Sequence, residues 1–360
     1  MRARALTARR ASAAAICALL VAVGGASATE SITGDFAVPG GHSVSVTWPA
    51  DWSLRASASK EWPEGTLELS HPTARDFLLL LSPLIAPNGA SAASSLPDAS
   101  SIRDRVTAIA RDELATAVER EVAVSDFEGG SARGSYFVLT DAAPKPGEFE
   151  RMAQGILLAS TARFTFTALL HEADPPQFAQ ALEILRSFAP SAEGTLRFAV
   201  PKAPFVLELA QPDLRLNISQ IGTEGAKGYF MAAHESPSAN FPVASFFIEP
   251  AVKCATSADC ADLIERGGFA HIGEVRDVRR FVLGDISIVE CHLPKLAGRR
   301  VKQQHWFAQF VVDGYWVDAH LSKVLYRPED RAVLEAIVKA VEFVPRQAVS
   351  EAAAPTLEAH

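Results

Sequence analysis

Past its first 28 residues the chain has no apolar run long enough to cross a bilayer. The stretch FLLLLSPLI at 77–85 has the length of one buried strand. Positive charge is also short. Lys and Arg number 34 against 42 Asp and Glu, a formal net charge of -8, so no global positive field draws nucleic acid or anionic lipid. Common catalytic signatures are missing. There is no G-x-S-x-G, and GGSARGS at 129–135 misses it by one position, so Ser131 reads as a turn residue rather than a nucleophile. There is no H-E-x-x-H, no P-loop and no G-x-G-x-x-G after a strand. Cysteine is scarce, with 4 in 360 residues and none in Cys-x-x-Cys spacing, which argues against a zinc site. The sequon NIS at 217–219 has no meaning in a bacterial protein, and the excess of Arg over Lys among abundant Ala reads as GC-rich bacterial coding.

What is present is ordinary globular composition, 48% hydrophobic and 21% charged. Residues 1–28 read as a signal peptide: MRARALTARR is a basic n-region, ASAAAICALLVAVGGA a short apolar core, and ASA at 26–28 a small-residue cleavage site. Ile16 before Cys17 argues against a lipoprotein, since a lipobox wants a small residue there. The mature protein is therefore expected to be periplasmic or secreted, with no membrane span after signal cleavage. Export permits disulfides. Of the three remaining cysteines, Cys254 and Cys260 are expected to pair across a loop and helix start, leaving Cys291 a buried thiol on a strand; a Cys260–Cys291 bridge is the alternative.

FAVP occurs at 36–39 and again at 198–201, each time ahead of strand-formers. In the first half HSVSVTWPADWSL, GTLELSHP and DFLLLLSPLI read as strands. A helix with Ile102, Val106, Ile109 and Leu114 at helical spacing follows, then GSYFVLTDA and QGILLASTARFTFTALL, then a helix opened by Pro176 and closing at RSFAP. The second half repeats that order, with a short helix over 257–266, a meander, and a last helix opened by Pro328 and closing at VEFVP. Phe36 matches Phe198, Pro176 matches Pro328, and Phe188 matches Phe343. The expected organisation is a first module over 29–190, a linker at 191–197, a second module over 198–345 and a disordered tail over 346–360.

The segment FAVP…VTWPADWSL, the central amphipathic helix, the GILLASTARFTFTALL meander and the closing ALEILRSF helix together resemble the PsbP/Mog1-like family, once in each half. The second copy departs from it by lacking the Trp48, Pro49, Trp52 signature. The resemblance implies an α+β fold of two tandem modules, each an antiparallel sheet flanked by helices on both faces. It also implies accessory, binding or assembly roles rather than a chemistry.

One constellation carries chemistry. Asp313-Gly314 in VVDGYW signals a type I′ hairpin. That turn pairs Val312 with Tyr315, Phe310 with Val317, Ala308 with Ala319 and Trp306 with Leu321 on a core face. The other face then carries His305, Phe307, Gln309, Val311, Trp316, Asp318, His320 and Ser322. His305, His320 and Asp318 are the candidate metal or anion ligands, or an acid–base pair, and His292 joins them if strand parity agrees. Against this stands a plain polar face under a helix. The matching run of the first half, FTFTALLHE, offers only Thr165, Thr167 and His171. Trp48, Trp52 and Trp62 read as core rather than a ligand groove. The function expected on this basis is an exported non-enzymatic accessory or binding protein of the bacterial cell envelope, without cofactor. Its partner is expected to be an envelope protein or a small ligand in an inter-module cleft. The alternative is a metal-dependent hydrolase or metal/anion-binding protein using the His305/His320/Asp318 face.

Overall fold

The computed structural model describes residues 30–346, apart from 39–41, 58–64, 72–76, 85–98, 160–161, 172–175, 223, 235–240, 270–271 and 297–298. The expected signal peptide, the expected tail beyond residue 346, and Trp62 lie outside the described residues. The first half contributes β1 (Ser31–Val38), β2 (His42–Pro49), β3 (Ser53–Ser57), β4 (Thr66–Ser70), β5 (Phe77–Pro83), α1 (Ala99–Glu113), β6 (Val124–Gly129), β7 (Ala132–Thr140), β8 (Arg151–Ala159), β9 (Ala162–Leu170), α2 (Pro176–Arg186) and β10 (Ala189–Pro190). The second half contributes β11 (Thr195–Ala199), β12 (Phe205–Ala210), β13 (Leu214–Ile221), β14 (Gly228–His234), β15 (Val243–Pro250), α3 (Ser257–Gly267), β16 (Arg276–Leu283), β17 (Ile286–Leu296), β18 (Arg299–Val312), β19 (Tyr315–Lys323), α4 (Asp330–Lys339) and β20 (Val341–Pro345).

The alternation of apolar and polar residues makes the strands. In β9, Phe164, Phe166, Ala168 and Leu170 are buried, while Arg163, Thr165, Thr167 and Leu169 between them are half-buried. The helices bury narrow stripes: Ala181, Ile184 and Leu185 on α2, and Leu334, Ile337 and Val338 on α4. α1 seats Ile102, Val106 and Ala110 on Phe137, Leu139, Ile156 and Leu158 of β7 and β8.

The fold corrects the expected α+β class. Fourteen strands form one antiparallel sheet in the order β16-β17-β18-β19-β15-β14-β13-β3-β4-β5-β9-β8-β7-β6, and two three-stranded sheets, β1-β2-β10 and β11-β12-β20, complete it. The described chain is mostly β, so it is not an α+β pair of helix-flanked modules. The four α-helices among the described residues are too few to cover both faces of such a sheet. The small sheets take the helices' place on one face, where Phe36, Val44, Trp48, Phe198, Phe205 and Leu207 join the large sheet's inner residues in a single core. RSFAP and VEFVP do not simply end helices: Ala189–Pro190 pairs with β2, and Val341–Pro345 with β12. β11 begins at Thr195, inside the stretch expected as a linker. The long sheet reads alike from either end. Each strand from β3 to β9 has its counterpart ten strands later, at the mirrored position.

At the joint between the halves β3 and β13 pair through Ile221 and Ala56. Beside them β1 crosses β11 so closely that a Cβ on Gly34 would stand 2.8 Å from that of Ala199 and 3.1 Å from the Trp48 ring. The Ala37 N–H donates to Ser219 Oγ at 3.2 Å across the same joint. Asp35 lies between the two strands, 1% exposed. Its Oδ2 accepts the Arg197 N–H at 2.7 Å. Burial pushes the carboxyl up from its ordinary 3.8 to about 6, against the opposing pull of that N–H, the Ser191 and Ser45 hydroxyls and the Arg197 charge.

Candidate functional site

The β18–β19 hairpin turns at Asp313 and Gly314, whose φ values of 48° and 77° are those of a type I′ turn. The register follows from it: Val312 faces Tyr315, Gln309 faces Asp318, Phe307 faces His320 and His305 faces Ser322. Two histidines fifteen residues apart thereby share the sheet face turned away from the main core. His305 Nδ1 and His320 Nε2 stand 2.8 Å apart. One of these nitrogens donates and the other accepts, so the pair holds a single proton between the rings. His305 is 3% exposed. Phe307 stacks on His320 with ring centroids 4.4 Å apart.

Asp318 is held by Gln309. Its Oδ1 accepts from Gln309 Nε2 at 2.7 Å, and Gln309 Oε1 accepts from Trp316 Nε1 at 2.6 Å. The chain Trp316–Gln309–Asp318 ties both ends of the buried amide to its two neighbours. Burial pushes the Asp318 carboxyl from 3.8 up to about 6, and the Gln309 hydrogen bond pulls the other way. Among the described residues no group of three His, Cys, Asp or Glu side chains is placed to hold a metal ion.

His292 falls on the other face. It pairs with Gln304, whereas Cys291 pairs with His305. A register shift between Leu293 and Lys295 sets this parity, and nothing in the local sequence announces it. Cys291 is the free cysteine among the described residues, and burial, then the Glu290 charge, pushes its thiol up to about 12, so it is no nucleophile. Cys254 and Cys260 form a disulfide.

That disulfide sits at the start of α3, which packs on this face. Thr256 and Asp259 close a capping box there, and Ser257 Oγ donates to the Gln309 carbonyl at 2.6 Å while accepting the Ser287 N–H at 2.7 Å. Ala261 and Phe269 then pack with Val289, Cys291 and Phe307. The opposite face of β17 and β18 holds a group that sequence reasoning missed. Glu290, 1% exposed, accepts from Arg279 at 2.5 Å, Gln304 at 2.8 Å and Trp306 at 3.1 Å, with Arg331 of α4 at 3.9 Å. Arg331 lies over the Phe281 and Trp306 rings, so one buried carboxylate ties β16, β17, β18 and α4 together. A Glu on a strand carries no sequence signal for this.

The remaining candidates are structural. Trp48 and Trp52 are each 1% exposed and belong to the core. Ser131 Oγ donates to the Phe188 carbonyl, as a turn residue does. His171 packs against Phe149 with the rings tilted. A cavity of ≈ 210 Å³ lies by Arg103, Asp126, Arg133 and Ser135, and one of ≈ 170 Å³ by Phe149, Arg151 and Met152, both in the first half.

No protein-family model matches the chain, and no curated protein does. Among solved structures, a chain similar to it is the immunity protein TplEi of T6SS from Pseudomonas aeruginosa, complexed with "L" peptide. It is 11% identical over 87% of this chain and 98% of that chain, at a TM-score of 0.33. A likeness of that size carries no argument for fold or function, and it leaves the PsbP/Mog1-like resemblance where the sequence put it. No helix among the described residues is long and apolar enough to cross a membrane.

Proposed function

We propose that the chain is an exported, non-enzymatic accessory or binding protein of the bacterial cell envelope. One observation carries this reading. The chemistry-bearing side chains of the best candidate face are engaged with one another, His305 with His320 and Asp318 with Gln309, beside a helix pinned by a disulfide. A catalytic set needs its groups free to meet a substrate. Export is supported by the leader-like first 28 residues and by the disulfide, which suits an oxidising compartment. A protein partner is favoured over a small ligand, because β3 pairs with β13 and β1 packs on β11 where a cleft between modules was expected.

The rival reading, a metal-dependent hydrolase or a metal- or anion-binding protein, draws on the 2.8 Å approach of the two imidazoles. It requires Asp318 to leave Gln309. Native mass spectrometry of the purified protein with metal analysis of the same sample separates the two. A bare protein is expected. A stoichiometric metal that is lost on His320→Ala would replace this reading with its rival.

A further inference from the structure

β17 and β18 are the longest strands of the sheet, 11 and 14 residues, and they meet in a hairpin whose arms carry HLPKL on one side and RRVK on the other. Lys295, Arg299, Arg300 and Lys302 are all exposed there, and Lys295 and Leu296 pair with Arg300 and Arg299. No acidic residue occurs from 291 to 312, in a chain whose formal net charge is -8. Among the described residues none of these four cations enters an ion pair or a side-chain hydrogen bond. Two exposed arginines elsewhere, by contrast, are matched, Arg103 to Asp126 and Arg280 to Asp262.

Two leucines sit with the cations. Leu296 is 51% exposed and Leu325 52%. The Leu325 and Tyr326 N–H groups donate to the Val301 and Lys302 carbonyls at 3.0 Å each, which holds the segment after β19 against the start of β18. Lys302 and Leu325 both take left-handed backbone, φ 45° and 52°. That conformation is costly for such residues, so the surrounding contacts impose it.

We propose that this end of the β17–β18 hairpin is a docking surface for an anionic membrane. The argument is one of complementarity. Exposed leucines reach the boundary between headgroups and acyl chains, and long cationic side chains around them keep their charges at the phosphates. Each such cation near an anionic leaflet adds attraction of a size that makes four of them sufficient for reversible binding. A specific protein partner is recognised instead by anchors that neighbouring side chains hold in place. These four cations lack such restraint, and a fluid anionic surface asks for none. The inference goes beyond the function proposed above and does not depend on the His305–His320 face.

The test is sedimentation of the full chain with vesicles of phosphatidylcholine mixed with phosphatidylglycerol, and with vesicles of phosphatidylcholine alone, at low and high salt. Binding to the anionic vesicles only, weakened by salt, is expected. R299Q/R300Q should lower the partition coefficient about tenfold or more, and L296S should lower it several-fold, while R105Q/K145Q, which removes exposed cations elsewhere, should leave it unchanged. Any binding by the apolar leader is common to all variants and so drops out of the comparison. Circular dichroism checks that each variant is folded. Equal binding to both vesicle types, no binding to either, or full binding by folded R299Q/R300Q would each overturn the proposal, the second of these in favour of an acidic protein partner.

Discussion

Replacing Asp35 by Asn should stabilise the protein at neutral and alkaline pH. The fold holds this carboxyl at about 6 against an ordinary 3.8, with burial the largest cause. A carboxyl raised on folding favours the neutral form. Its stabilising contribution is full below 3.8 and is lost as pH climbs through about 6. At ~1.4 kcal/mol for each pH unit between those values, the charged side chain costs about 3 kcal/mol at pH 8 relative to a neutral one. Asn keeps an oxygen for the Arg197 N–H and offers its amide to the Ser191 and Ser45 hydroxyls. Chemical denaturation of wild type and D35N at about pH 4 and about pH 8 measures the difference. The variant should gain ~3 kcal/mol at the higher pH and almost nothing at the lower. Asp35→Ala should instead lose stability at both, because it leaves the Arg197 N–H without its acceptor. If D35N is no more stable than wild type at the higher pH, the carboxylate is solvated or compensated in the fold, and the account of the joint is wrong.

Three further outcomes follow from the same structure. Replacing Cys254 and Cys260 by Ser should lower unfolding free energy by about 2 kcal/mol, the entropy of a short closed loop, and denaturation with and without reductant checks it. Gln309→Ala removes the hydrogen bond that pulls Asp318 down, so the carboxyl midpoint, followed by NMR, should rise above about 6 while the protein loses ~2 kcal/mol or more at neutral pH; an unmoved midpoint would separate Asp318 from Gln309. Gly34→Ala forces a methyl against Ala199 and Trp48, and a melting curve should show a loss of ~1–3 kcal/mol, which no backbone preference accounts for because Gly34 is not among the left-handed residues.

The β18–β19 hairpin was fully legible, because a two-residue Asp-Gly turn fixes register and register fixes which side chains share a face. The Cys254–Cys260 bridge was legible from spacing at a helix start. The joining of the halves into one sheet was not. β3 is SLRAS, with little strand preference, and its link to β13 rests on Ala56 opposite Ile221, two residues that look like any others. The helix-covered α+β picture failed for a related reason. Apolar periodicity marks that a face is buried, and it does not say whether a helix or a second sheet buries it. On the candidate site, periodicity brought His305 and His320 to one face, yet Asp318's attachment to Gln309 is a choice between two neighbours on that face that only packing decides. His292 was lost to a register shift.

A sheet has two edges whatever its width. Two seven-stranded sheets kept apart would present four rows of unpaired backbone groups, each an invitation to strand-by-strand aggregation; joined at β3 and β13 they present two. In the large sheet those two edges are β6 and β16. At β6 the Val124 carbonyl is taken by Arg103 of α1 at 2.8 Å. At β16 the left-handed Asp277 and a register shift bend the strand, and Arg279 and Arg280 crowd it with charge. Cutting the chain at its midpoint would therefore do more than separate two similar halves. It would return to solvent two strand borders that the intact molecule keeps paired with each other.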